Sequence, residues 1–248
     1  LLSAMHAAGE AGVIDNSHGR IASNGQDMAL AAARVVNTDG VIEHAAEGRL
    51  SVAAGSYSGE RGQLRTNGAL DVRSTGEFNQ DGGQTVANQI AIQAERLSNR
   101  GGQILHVGAD SSAPMQLTIG GHVDNQGGVI ASNTAMRVNA GSLDNSTGRI
   151  AAANNLGTAV IGDLRNVEGE LLANGDVALA AARLDNRQGT IASEGNLHIA
   201  SGALSNDSGL IQSSANLAID THGQRLSNRS AAGYEGTGAA DTRGRGGI

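Results

Sequence analysis

Seven histidines and 24 carboxylates are the side chains with which this chain could hold metal or move protons. A metal site needs ligands that return at short, fixed intervals. His6, His18, His44, His106, His122, His198 and His222 show no such spacing; they fall at different phases of the chain's repeat, and surface decoration is the expectation for them. Acid–base chemistry on a sugar needs carboxyls held close together. The acidic residues are scattered, with no paired position recurring. A polysaccharide groove would also want an aromatic platform, and the chain has only Tyr57, Phe78 and Tyr234. With no cysteine there is no thiolate nucleophile, thiolate metal site or disulfide. Gly244-Arg245-Gly246-Gly247 lacks the lysine and the strand-to-helix setting of a phosphate loop. No enzyme activity, cofactor or metal site is expected.

The regularity of the sequence lies elsewhere, in a tandem repeat. From Leu184 the chain reads LDNRQGTIASEGNLHIASGA, and from Leu204 it reads LSNDSGLIQSSANLAIDTHG. The shared frame is Leu-x-Asn-x-x-Gly-x-Ile, followed after six residues by an apolar-x-apolar pair. Its asparagine position holds Asn16, Asn37, Asn79, Asn99, Asn125, Asn145, Asn166, Asn186, Asn206 and Asn228, with Gly59 in a degenerate copy. Successive steps are 20 to 22 residues, except one of 26 between Asn99 and Asn125. The glycine three places on is Gly19, Gly40, Gly62, Gly82, Gly102, Gly128, Gly148, Gly169, Gly189 and Gly209. Two further on stands an aliphatic stack: Ile21, Ile42, Leu64, Ile104, Ile130, Ile150, Leu171, Ile191 and Ile211, with Gln84 breaking the series. The second pair is Met28/Leu30, Leu50/Val52, Leu70/Val72, Ile90/Ile92, Leu117/Ile119, Met136/Val138, Val177/Leu179, Leu197/Ile199 and Leu217/Ile219; the copy after Ile150 is irregular, with Leu156, Val160 and Ile161.

Alternation with a period of two is the signature of strands, and Asn, Gly, Asp and Ser between the strands favour turns. Helical i, i+3, i+4 spacing is absent, and the leucine frame is too sparse for a leucine-rich horseshoe. The expected fold is all-β, a parallel β-helix of about ten coils of about 20 residues. Stacked strands lie ~4.8 Å apart, so equivalent aliphatics form columns. The glycine position would need positive φ or a close backbone approach. The asparagine position forms either an amide ladder between coils or a turn that tolerates the left-handed conformation; the ladder is the preferred of the two. One coil cannot bury enough apolar surface to fold alone, so stability must come from its neighbours.

The expected organisation is the end of a preceding coil at 1–12, a repeat shaft at 13–228 and a Gly-rich flexible tail or linker at 229–248. Residues 106–116, with Ser111, Ser112 and the single proline Pro114, read as an inserted loop on the shaft, more a tolerated insertion than a contact site. The chain opens at Leu1 in mid-pattern and reads as an excerpt from something longer. The formal charge is −7, all 17 basic residues are arginine, and no basic stripe suggests nucleic acid. No apolar run is long enough for a transmembrane helix, no signal peptide is seen, and the calcium-binding nonapeptide pattern is missing.

The frame LDNRQGTIASEGNLHI resembles the repeats of the filamentous haemagglutinin family, which includes haemagglutinin-like adhesins and contact-dependent growth inhibition exoproteins. The resemblance covers roughly residues 13 to 228. It implies a right-handed β-helix, export by two-partner secretion through an outer-membrane transporter, and a place outside the cell or on its surface. In that family this repeat type builds the shaft. Three functions follow as expectations. The leading one is a structural shaft segment of an adhesin or toxin carrier. The second is a module that binds glycan, or a host or neighbouring cell. The third, least favoured, is a polysaccharide-active enzyme.

Overall fold

The computed structural model describes residues 2–4, 12–110, 112–229 and 248. The described residues contain 24 strands and no helix, and all strand pairs are parallel members of one sheet. The chain winds as a β-solenoid of about 11 turns, one more than the ten the repeat count suggests. The strand Leu2–Ala4 pairs with Met28–Val36, in register from Leu2 opposite Leu30.

Each coil has three sides, set by where the inward side chains fall. A typical coil begins with a short strand, Thr190–Ser193, whose Ile191 and Ser193 point inward. A bend leads into the long strand Leu197–Ser205. There Leu197, Ile199 and Ser201 are buried, and the next buried residue is Leu204. The inward spacing thus changes from two to three, because the strand turns a corner between its second and third sides. A sharp turn at Asn206 closes the coil.

Parallel register stacks like on like. Ile191 pairs with Leu171 and Ile211, and Leu204 with Leu184 and Leu226. The aliphatic stack is buried from Ile42 to Ile211, while Ile21 near the described N-terminal end is half-buried. Without tryptophan and with few aromatics, the interior is filled by branched aliphatics of matched size. Among the described residues one aromatic pair, Tyr57 and Phe78, stacks with ring centroids 4.8 Å apart.

The register corrects five sequence-based placements. Asn79 does not occupy the corner; it ends the strand Glu77–Asn79 opposite Ser58 and Ser98, and the fully buried corner residue is Gln80. The glycine frame moves with it: Gly83 closes that turn onto the Gln80 carbonyl, and Gly82 precedes it with φ +63°. The residue in the aliphatic stack is then Thr85, between Leu64 and Ile104, while Gln84 lines up with Gln63 and Gln103. One extra residue in the preceding coil displaced all three positions. Past the insertion, Met115 and Leu117 stand opposite Met136 and Val138, so the pair is Met115/Leu117 instead of Leu117/Ile119, and Ile119 lies two places beyond it, opposite Ala140. Likewise Leu156 and Thr158 face Met136 and Val138, and Ile161 is 83 % exposed.

The inserted loop is shorter than expected. His106 ends the strand Gln103–His106, and Met115 and Gln116 open the strand Met115–Asp124, leaving 107–114 between them. The expected tail lies, from 230 to 247, outside the described residues.

Candidate functional site

The corner is the most repetitive polar feature of the structure. Asn186 N–H donates to Ser205 O of the next coil, and Gly189 N–H returns to Asn186 O at 3.1 Å, closing a four-residue turn. The third turn residue, Gln188, has φ +58°, as a type II turn requires. The same left-handed place holds His18, Asp39, Arg61, Thr147, Glu168 and Ser208, mostly without glycine. The recurring glycine has a different cause. A Cβ on Gly189 would overlap the carbonyl oxygen of Asn166 and come 2.7 Å from Asn186 Oδ1. Close approach of neighbouring coils excludes a side chain there.

Inside the corner the asparagines form a directed ladder. Asn99 Nδ2 donates to Asn125 Oδ1 at 2.7 Å, and Asn125, Asn145, Asn166, Asn186 and Asn206 repeat the bond onward to Asn228. Asn16 donates likewise to Asn37. Most of these amides also reach carbonyls of their own turn and of the next coil, as Asn166 does with Gly169 and Thr190. Where Gly59 stands in the corner, the Tyr57 hydroxyl accepts from Asn37 Nδ2 at 3.2 Å. Burial pushes the Tyr57 phenol well above its ordinary pKa, so it stays a neutral hydroxyl.

Two expectations about titratable residues are overturned. His44 and His106 do share a position, at the inward end of the first side, and both are buried. His44 Nδ1 lies 3.0 Å from Thr66 Oγ1 and its Nε2 2.8 Å from the Gly25 carbonyl. His106 Nδ1 lies 2.8 Å from Ser132 Oγ, and desolvation holds its pKa below the ordinary imidazole value. His18, His122, His198 and His222 are exposed, and His6 lies outside the described residues. The carboxylates are also not wholly scattered. Asp124, Asp144 and Asp185 occupy one column beside the corner, with Arg165 between the last two. Along this ridge Asp39 pairs with Arg61 at 2.7 Å, Asp185 with Arg187 at 2.7 Å and Asp207 with Arg229 at 2.9 Å. The Arg229 guanidinium, with the Ser227 hydroxyl and the Arg229 N–H, holds the Asp207 carboxyl well below the usual carboxylate range.

The loop is tied to the shaft at both roots. Val107 N–H donates to Ala87 O, and Val107 O accepts from Asn133 Nδ2, both at 2.9 Å. At the other end Thr134 Oγ1 donates to Ala113 O at 3.2 Å. Between them Asp110 Oδ1 accepts from the Ser112 hydroxyl and N–H, which lowers its pKa.

What these features do chemically is hold the coils together. The buried imidazoles face hydroxyls and a carbonyl, and the ridge carboxylates face guanidinium groups. Among the described residues no three His, Asp or Glu side chains gather as metal ligands. No helix among them is long and apolar enough to cross a membrane.

A haemagglutinin-repeat family model matches the chain four times, at residues 4–47, 45–121, 109–160 and 162–230. No curated protein and no solved structure matches it. The matches cover nearly all of the repeat region and the coils they describe are those of the solenoid, so this chain belongs to the filamentous haemagglutinin repeat family.

Proposed function

We propose that the chain is a structural shaft segment of a secreted bacterial surface filament, exported by a two-partner system through an outer-membrane transporter. The observation that carries this reading is the unbroken stacking of equivalent residues from Ile21 to Ile211. At ~4.8 Å per coil, 11 turns span about 53 Å. Such a stack converts sequence length directly into distance. It stays rigid because each coil bonds to both neighbours. The absence of cysteine suits a chain that crosses a narrow pore unfolded and must then fold without oxidation. The expected setting is adhesion or competition between bacteria, and the shaft would not be an enzyme.

The test is a change of length. In the full-length parent, deleting residues 167–206 removes two whole coils and rejoins Asn166 to Asp207 in register. The filament should still reach the surface, be about 10 Å shorter, and keep its adhesive or inhibitory activity. Loss of that activity from an intact surface filament would refute the shaft reading.

A second reading, a module that binds glycan or a cell, draws on the loop at 107–114, which leaves the first side and carries Asp110 and Ser112 outward. Binding of the isolated chain to a glycan array or to cells, abolished by replacing the loop, would favour it.

A further inference from the structure

We propose that the shaft carries a built-in weak coil, residues 84–99, which opens before every other interior coil and divides the solenoid into two blocks.

Four observations converge on this stretch. The first is a break in the amide ladder. From the N-terminal side the bonds run Asn16 to Asn37 and then to the Tyr57 hydroxyl. They resume only at Asn99, which donates onward to Asn125. Between them stand Gly59, without a side chain, and Gln80, whose Nε2 donates to the Gly62 carbonyl instead.

The second is the location of unsatisfied buried groups. Among the described residues five buried side-chain atoms have no hydrogen-bond partner: Gln80 Oε1, Thr85 Oγ1, Asn99 Oδ1, His106 Nε2 and Thr158 Oγ1. Four of the five fall between residues 80 and 106, in and around one turn of the solenoid. A buried polar atom that gave up water without a replacement favours whatever opening rehydrates it.

The third is the interior packing. Thr85 is the one polar residue in a column otherwise built from Ile and Leu. The stacked rings of Tyr57 and Phe78 fasten the two coils on the N-terminal side. No second stacked pair follows, and Leu97 succeeds Phe78 in the column.

The fourth is the load placed on this coil. The root of the inserted loop rests on it, through Val107 N–H on Ala87 O and the close approach of Gly108 to the Asn88 carbonyl.

Backbone pairing does not share the defect. Gln63 to Arg73 pairs in register with Gln84 to Gln93, interrupted only by the shift between Thr66 and Ala69. The weakness is therefore confined to the interior. The coil is closed in the resting shaft and gives way first when the structure is challenged. Opening it would free the loop root while both flanking blocks keep their own ladders or aromatic stack. The described part of the shaft then yields at a defined place, next to the insertion at 107–114.

Native-state hydrogen exchange of the whole chain, read by mass spectrometry at increasing sub-denaturing urea, tests this. Amides of 84–98 should exchange at least ~10-fold faster than those of 136–144 and 197–205, and lose protection at lower urea. Equal protection of the three stretches overturns the proposal. Thr85→Val keeps the shape and removes one orphan hydroxyl, so it should slow exchange in 84–98 by at least ~3-fold. Thr158→Val, the same repair outside the weak coil, should leave those amides unchanged. A Thr85→Val chain that exchanges there at the parent rate, or a Thr158→Val chain that slows it equally, also overturns the proposal.

Discussion

Asn145 and Asn166 stand one coil apart, and Nδ2 of the first donates to Oδ1 of the second at 2.7 Å. Asn166 passes the same bond to Asn186 at 2.7 Å, so its side chain is acceptor on one side and donor on the other. Asn166→Ala would strand Asn186 Oδ1 without its ladder donor in a fully buried place. An orphaned buried acceptor costs about 1–3 kcal/mol. Asn166→Ala should lose about 2–3 kcal/mol in urea unfolding followed by circular dichroism. Asn166→Asp can still accept from Asn145, but its carboxylate turns an oxygen toward Asn186 Oδ1. It should lose more than the alanine variant; equal stability of Asn166→Asp and the parent would remove the ladder from the account.

The corner turn makes a paired prediction about glycine. Gly189 lies against the Asn166 carbonyl, whereas Gln188 carries the left-handed φ of +58°. Gly189→Ala should therefore destabilise by about 2 kcal/mol or more, since neighbouring coils must part to admit one methyl. Gln188→Gly should be neutral or stabilise by up to ~1 kcal/mol, because it relieves the left-handed cost of a residue with a Cβ. Thermal unfolding of the two variants decides the matter. The reverse ranking would mean that dihedral freedom, not close approach, selects the repeat glycine.

These two residues also mark how far the sequence could be read. Period-two alternation and the 20-residue frame were enough for the fold, because a solenoid repeats one local solution and the register follows from the repeat. The glycine frame was visible, but choosing between positive φ and close approach needs the neighbouring coil, which a single repeat does not contain. Asn79 was misplaced for a related reason. The frame was carried across Gly59 by type, Asn for Asn, while the fold kept the inward position and accepted Gln80 there. His44 and His106 stand at one phase of the frame, each two places after a stack isoleucine, Ile42 and Ile104, so their shared position was legible; their burial against Thr66 and Ser132 needs the neighbouring coils. Asp124, Asp144 and Asp185 each precede a frame asparagine, so their column was legible too, while the guanidinium groups that face the ridge are visible only in the fold.

His106 supplies a pH dependence with a definite sign. Desolvation keeps its pKa in the folded chain below the ordinary value near 6.5. The folded state then prefers the neutral ring, and the unfolded chain binds the proton more readily. Its contribution to stability is complete above about pH 6.5, falls as the pH drops below that, and levels off once the folded ring itself protonates. Asn at this position can still accept from Ser132 Oγ but cannot titrate. His106→Asn should flatten the decline in urea midpoint between pH 7.5 and pH 5 relative to the parent. A decline as steep in the variant as in the parent would show that other groups set it.

Replacing the inserted loop tests whether it is structure or cargo. Where 107–114 joins the first and second sides in its own coil, the next coil needs only Asn133, Thr134 and Ala135 between Ser132 and Met136. Both connections start and end in register, since His106 pairs with Ser132 and Met115 with Met136. Substituting Asn-Thr-Ala for the eight residues 107–114 removes five and turns the 26-residue step into one of 21, within the range of its neighbours. The loop closes a connection whose ends are already placed, and lengthening such a closure costs little entropy. The shortened chain should keep its β circular dichroism and melt within a few degrees of the parent. It should also keep the buried His106–Ser132 contact, because that pair lies in the strands rather than in the loop. A large drop in melting temperature would mean that Asp110, Ser112 and their turn hold the coil closed.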